Sequence, residues 1–262
     1  MSSALQHGEA AIHHHSLLQA FQSLLFIVVI ALFVMTFTAQ PFRIPSASME
    51  PTLLVGDFLL VNKEVSSGRF PALASIDLIQ RGDVIVFHYP VDPAKHLVKR
   101  IVGLPGDHLS LIDGHVLIDG HALNEPYAFF LPSAPDSYRD DFPQVDRADP
   151  AVDSRWWIQM HSLVANGELT IPPDSYFVLG DNRNDSEDSR YWGLVPRVAI
   201  VGKPFLIYFS LNDSASALND SDPTPGQTSS GVLTADGTNR RHGLANSLFN
   251  FARWDRTLRI LH

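Results

Sequence analysis

HLVKRIVGLPGD, His96 to Asp107, decides how this chain folds. Its alternation places Leu97, Lys99 and Ile101 on one face of a strand and Val98, Arg100 and Val102 on the other, and Gly103, Pro105 and Gly106 end the run. One of the two adjacent cations must therefore share its face with apolar neighbours. If that cation is Lys99, loss of water favours the neutral amine and lowers its pKa, making it a base. Alternation does not say which face is covered, and an edge lysine guarding a strand against aggregation accounts for the same pattern.

Moving outward, short apolar runs bounded by Gly, Pro, Asn and Asp recur at Asp57 to Asn62, Asp83 to Phe87, Tyr176 to Leu179 and Val198 to Ser210, as strands do. LSLIDGHVLIDGHAL, Leu109 to Leu123, carries two Asp-Gly pairs that favour tight turns. The body is expected to be mainly β: an antiparallel sheet core with an inserted β-rich subdomain, preceded by one transmembrane α-helix. The expected divisions are a tail at 1–16, an anchor at 17–39, core at 40–121 and 172–211, and an insertion at 122–171. A flexible Ser/Asp/Thr/Gly/Pro-rich loop follows at 212–243, and an apolar segment at 244–262 returns to the core.

The anchor is read from charge. No Asp, Glu, Lys or Arg occurs from Ala10 to Phe42, and Leu24 to Phe37 reads LLFIVVIALFVMTF. A helix over 17–39 would reach roughly 34 Å, enough for a hydrocarbon layer of roughly 30 Å. The run is longer than the apolar core of a cleavable signal peptide, and nothing basic precedes it. Arg43 and Lys63 follow the span while the first residues carry neither Lys nor Arg, so positive-inside counting leans towards an external N-terminus. His13 to His15 are read as a solvated cluster beside the span.

Across its 262 residues, 45% hydrophobic and 18% charged, the chain has a net charge of −9 and no cysteine. An acidic balance argues against nucleic acid as a partner. Absence of Cys excludes disulfides, thiolate zinc sites and a Cys nucleophile.

Two further segments carry chemistry. In FRIPSASMEPTLLVGD, Phe42 to Asp57, Pro45 and Pro51 bracket Ser46 and Ser48 on a stiff stretch. Serine needs a base before it attacks, and serines near proline often do no more than shape turns. In YFVLGDNRNDSEDSRYWGLVP, Tyr176 to Pro196, Arg183 and Ser186 stand where a calcium loop needs Asn or Asp and then Gly, so no metal is expected. Asp188 and Arg190 can pair to brace this loop while a hydroxyl such as Ser186 orients the lysine amine; Asn184, Asp185 and Glu187 also read as a solvated acidic turn.

SASMEPTL at Ser46, RGDVIVF at Arg81, KRIVGLPGD at Lys99 and GDNRNDSEDSR at Gly180, in that order behind an apolar span, resemble the conserved boxes of bacterial type I signal peptidases. The resemblance runs from about Ala39 to Ser210, with an echo in RWDRTLRILH at the C-terminus. It implies Ser48 as nucleophile, Lys99 as general base, Ser46 with the Ser48 N–H as oxyanion hole, and Ser186 as the group orienting the lysine. It further implies Asp188 and Arg190 as a structural ion pair, Asp181 and Arg183 as additional support, and Ile44, Met49, Leu53 and Val98 as pocket walls.

The substrates so implied are preproteins whose targeting segments end in small residues, the A-x-A pattern, cut without metal or organic cofactor at the lipid bilayer. The resemblance puts a single-pass chain in the bacterial inner membrane with its catalytic body on the outer, periplasmic side. Many proteobacterial relatives have two spans where this chain shows one. Self-cleaving repressors share the Ser/Lys chemistry and the β fold, but would need a DNA-reading domain and no anchor. A noncatalytic tethered β-domain would lack one active-site group, whereas Ser48, Lys99 and Ser186 are all present.

Overall fold

The computed structural model describes residues 19–30, 39–63, 79–146, 149–212 and 251–261. The chain divides into two units, Met1–Gln40 and Pro41–His262. In the first, residues 19–30 are helical and the apolar side chains of Phe21, Leu24, Phe26 and Ile27 are exposed. The expected span at 17–39 extends outside the described residues, and among those described no helix is long and apolar enough to cross a membrane. His13 to His15 lie outside the described residues, as does the expected loop at 212–243 apart from Asn212.

The second unit is built on antiparallel strands. In chain order they are β1 (Ala39–Arg43), β2 (Asp57–Asn62), β3 (Val84–His88), β4 (His96–Gly103), β5 (His108–Ile112), β6 (His115–Ile118), β7 (His121–Ala122), β8 (Val164–Ala165), β9 (Glu168–Thr170), β10 (Ser175–Leu179), β11 (Val195–Pro196), β12 (Ile200–Ser210) and β13 (Arg259–Ile260). One sheet runs β1-β2-β12-β3-β4-β10-β11, with β13 also on β12, and a second runs β7-β6-β5-β9-β8. The second sheet draws on 108–122 as well as on part of 122–171.

Local sequence explains the pairing. In β2 the buried positions are Asp57, Leu59 and Val61 in strict alternation, the period of a half-covered strand. Asp113-Gly114 and Asp119-Gly120 take φ values of 51° and 78°, and 51° and 74°, the double left-handed geometry that closes a two-residue hairpin. Between Asp136 and Leu163 short helices intrude. The longest, Ser154–Leu163, is capped by Asp153, whose carboxylate accepts from Arg155 N and Trp156 N and supplies partners for otherwise orphaned donors.

β4 lies between β3 and β10, and apolar clusters cover both its faces. Ile85, Phe87, Ile101, Tyr176, Val178, Trp192, Val195 and Ile200 pack on one side. Ile44, Met49, Leu53, Leu59, Val61, Val86 and Ile207 form the cluster that Val98 joins on the other. The C-terminal segment closes the far edge, where Arg256 Nη2 donates to Asp57 Oδ2 at 2.6 Å and to Thr52 O at 3.0 Å. Through Asp57 and Thr52 this return holds both ends of the loop that follows the serine box.

Candidate active site

Ala47–Met49 form one 3₁₀ turn, closed by Glu50 N donating to Ala47 O at 3.0 Å. Its hydrophobic anchor is Met49, 1% exposed in the Ile44–Leu53–Val86 cluster. Burying Met49 leaves the Ser48 hydroxyl turned to open space, 3.3 Å from Ser46 Oγ. Pro45 and Pro51 limit the backbone on either side of this turn.

Lys99 faces Ile85 across the β3–β4 ladder and Ile101 along its own strand. It is 3% exposed, and Arg100 beside it is 7% exposed. Both cations are therefore buried, one on each face. Arg100 is neutralised: Nε and Nη2 each donate to Asp181 at 2.7 Å, Nη1 donates to Gly82 O at 2.6 Å, and the guanidinium lies 4.0 Å from the centre of the Tyr127 ring. Lys99 donates instead to a neutral atom, Ser186 Oγ, at 3.0 Å. Burial pushes its pKa down to about 8, and the Asp188 charge opposes that fall while the Arg190 charge deepens it.

The Gly180–Arg190 loop brings Ser186 to that position. Asp188 accepts from Arg190 Nε and Nη2, both at 2.8 Å, and from Gly180 N at 3.2 Å. Burial alone would raise the Asp188 carboxyl; the Arg190 charge and hydrogen bonds, the Lys99 charge and a hydrogen bond from Ser186 together hold it below its ordinary value. Arg190 Nη2 also donates to Arg183 O at 2.9 Å, and Arg183 Nη1 to Glu125 Oε2 at 3.1 Å. Gly180 permits the close approach of two segments: a Cβ there would collide with both Ser186 Oγ and Ser48 O.

Two cavities meet at Ser46, Ser48 and Lys99. The smaller, about 170 Å³, is walled by Ile44, Met49 and Val98 with Phe42 and His96. The larger, about 650 Å³, opens along Tyr89, Tyr191, Trp192, Ser186 and Asn184. Leu53 sits beneath Met49, to whose carbonyl its N–H donates at 2.9 Å, and lines a separate depression with Asp83 and Arg100.

Ser46, Ser48 and Lys99 thus line the same two cavities, with the amine buried against the Ser186 hydroxyl. The profile for signal peptidase, peptidase S26, matches residues 17–209. The chain belongs to this signal peptidase family. It is similar to signal peptidase I of Pseudomonas aeruginosa, 38% identical over 74% of this chain and 72% of that one, and to signal peptidase I of Aquifex aeolicus, 37% identical over 71% and 82%. A solved signal peptidase I from Enterococcus faecalis aligns over 49% of this chain and 97% of that one, at 33% identity and a TM-score of 0.36.

As a signal peptidase family member the chain is a serine endopeptidase. Several supporting residues escaped the sequence reading. Arg100 pairs with Asp181 and Glu125 with Arg183, and Asn182 reaches the serine turn through its side-chain amide. Arg100 was visible as Lys99's neighbour, and buried arginine requires a carboxylate. Glu125 gave no comparable signal, since it stands in a stretch without strand periodicity where nothing marks it as buried.

Proposed function

We propose that this chain removes N-terminal signal peptides from exported preproteins, cutting after small residues of the A-x-A type, with Ser48 as nucleophile and Lys99 as general base. The observation that carries the reading is the Lys99 amine, 3% exposed with a neutral hydrogen-bond acceptor, on the cavity wall it shares with Ser48. An amine whose pKa is lowered to about 8 has a far larger neutral fraction near neutral pH than a surface lysine has.

In this reading neutral Lys99 Nζ takes the proton from Ser48 Oγ as that oxygen attacks the scissile carbonyl. The Ser48 N–H and the Ser46 hydroxyl donate to the developing oxyanion. Lys99 then returns the proton to the departing amine, and the signal peptide is left as an ester on Ser48. Water, deprotonated by the same amine, hydrolyses that ester and restores the enzyme. Ser186 holds the amine, and Asp188 with Arg190 holds Ser186. Ile44, Met49 and Val98 make the small cavity a fit for short apolar side chains upstream of the cut, with Leu53 supporting Met49 from below.

Residues 17–39 act as a single membrane anchor, and the body works on the outer face of the bacterial inner membrane. The charge-free run from Ala10 to Phe42 and the exposed apolar side chains of 19–30 support the anchor, whereas the outer-face placement follows the family resemblance and runs against the lean of the positive-inside count. Anchoring keeps enzyme and membrane-embedded targeting segment at similar depth and raises their effective concentration.

The test is cleavage of a purified preprotein by wild type, Ser48→Ala and Lys99→Ala. Loss of cleavage by more than about a thousandfold in both variants, with folding retained, supports the assignment. Undiminished processing by Ser48→Ala would leave a tethered binding domain in its place.

A further inference from the structure

The serine turn is held from behind by a residue with no part in the proton transfers. Ser48 O accepts from Asn182 N at 3.2 Å, and Ala47 O accepts from Asn182 Nδ2 at 3.3 Å. Successive carbonyls of the nucleophile's turn are thus caught by the main chain and the side chain of one residue. Gly180, two positions earlier, is the point where the two segments touch.

Asn182 is itself fixed from the other side. It bridges to Phe129, whose N–H donates to Asp181 O at 2.7 Å and whose carbonyl accepts from Arg183 N at 2.9 Å. Asn184 Nδ2 adds bonds to Leu131 O at 2.7 Å and Ser133 Oγ at 2.9 Å. The 129–133 segment therefore backs the loop that backs the serine.

Asn182 is 1% exposed, and its Oδ1 is buried with no hydrogen-bond partner among the described residues. Buried polar atoms are nearly always paired, because leaving one unpaired is costly. The cost is explained if the other half of the same amide, Nδ2, is needed where it is.

We propose that Asn182 is a positioning residue for Ser48, its amide setting the orientation of the Ala47–Met49 turn and so the direction of the attacking oxygen. This rests on Ser48 being the nucleophile. Among the described residues Asn182 makes no hydrogen bond to the Lys99 amine or the Ser48 hydroxyl, and it carries no charge. Its loss should lower turnover while leaving substrate affinity and the pH response in place.

The experiment compares full-length wild type, Ser48→Ala, Asn182→Ala and Asn182→Asp in one preprotein cleavage assay, with KM, kcat, pH profile and melting temperature recorded for each. Asn182→Ala deletes donor and orphan acceptor together; Asn182→Asp keeps the shape, loses the donor and faces carbonyl oxygens with a carboxylate. The expected result is a kcat loss of about 10- to 100-fold in both, as small misplacements produce. KM should stay within about twofold, the acidic half-activity pH of Asn182→Ala should be unmoved, and Asn182→Ala should melt within a few degrees of wild type.

Turnover within about twofold of wild type in folded Asn182→Ala and Asn182→Asp would overturn the proposal. So would a kcat loss that disappears when each enzyme is assayed at the same interval below its own melting temperature, because that marks a purely structural role. If instead Ser48→Ala still cleaves, the nucleophile assignment fails, and that outcome is read from a different variant.

Discussion

Lys99 Nζ donates to Ser186 Oγ at 3.0 Å, so the most buried ammonium at the site is offered a hydroxyl rather than a carboxylate. A carboxylate there would hold the proton on the amine. The hydroxyl satisfies the geometry without doing so, and burial then lowers the amine's pKa to about 8. With Lys99 as the proposed base, only the neutral amine would accept the Ser48 proton, so kcat/KM should rise about tenfold per pH unit below that point and level off above it. A pH–rate profile on a fixed preprotein checks this; a flat profile from pH 6 to pH 9 would remove Lys99 as base.

The same burial carries a stability cost of definite sign. In the unfolded chain the amine is protonated below its ordinary value of 10.5, while in the folded chain protonation waits until about 8. Between those values the unfolded state binds more protons, so stability rises with pH across this window, and below it the full penalty of about 3 kcal/mol applies. Lys99→Met keeps the length, drops the charge and should melt several degrees higher than wild type at pH 7. The gap should shrink as pH rises past 8. Thermal unfolding at pH 7 and pH 10 reads both halves, and a less stable variant at pH 7 would refute the account.

Gly180→Ala should be severe for the size of the change. One methyl group would have to occupy space already filled by Ser48 O and Ser186 Oγ, so the serine turn and the lysine's partner are pushed apart together. The expected loss is at least about 100-fold in kcat with about 1–3 kcal/mol of stability. Kinetics and melting of the variant check the pair of effects. Activity near wild type would mean that the two segments can separate without disturbing Ser48.

Much of the sheet was legible because alternation is physical: β2, β3, β4, β10 and β12 fall where short apolar runs stop at Gly, Pro, Asn or Asp. The choice between Lys99 and Arg100 was not legible, since it assumed one covered face, and β4 is a central strand covered on both. Both cations are inside, and they differ in partner, which the sequence does not pair: Arg100 meets Asp181 from the far end of β10. A third hairpin was missed although its signal was present. Asn166-Gly167, at φ 54° and 81°, closes β8 onto β9 inside a stretch that shows no strand periodicity because each strand is so short. The Ser154–Leu163 helix was hidden likewise, with only Trp156 and Met160 buried from one face.

Asp188→Asn separates the two tasks of the loop. In the folded protein Asp188 and Arg190 form a pair 0% and 1% exposed, and removing one charge leaves the other buried alone. Such a break typically costs about 3–5 kcal/mol, so melting should fall by roughly 10 °C or more. At temperatures where the variant is folded, a second effect should be readable. The Asp188 charge raises the pKa of Lys99 and the Arg190 charge lowers it, so deleting the first while keeping the second makes the amine easier to deprotonate. The acidic limb of the cleavage profile should therefore move below its wild-type position even as the protein becomes less stable. A limb that stays in place or moves upward in folded Asp188→Asn would show that Asp188 supports the loop without reaching the base electrostatically.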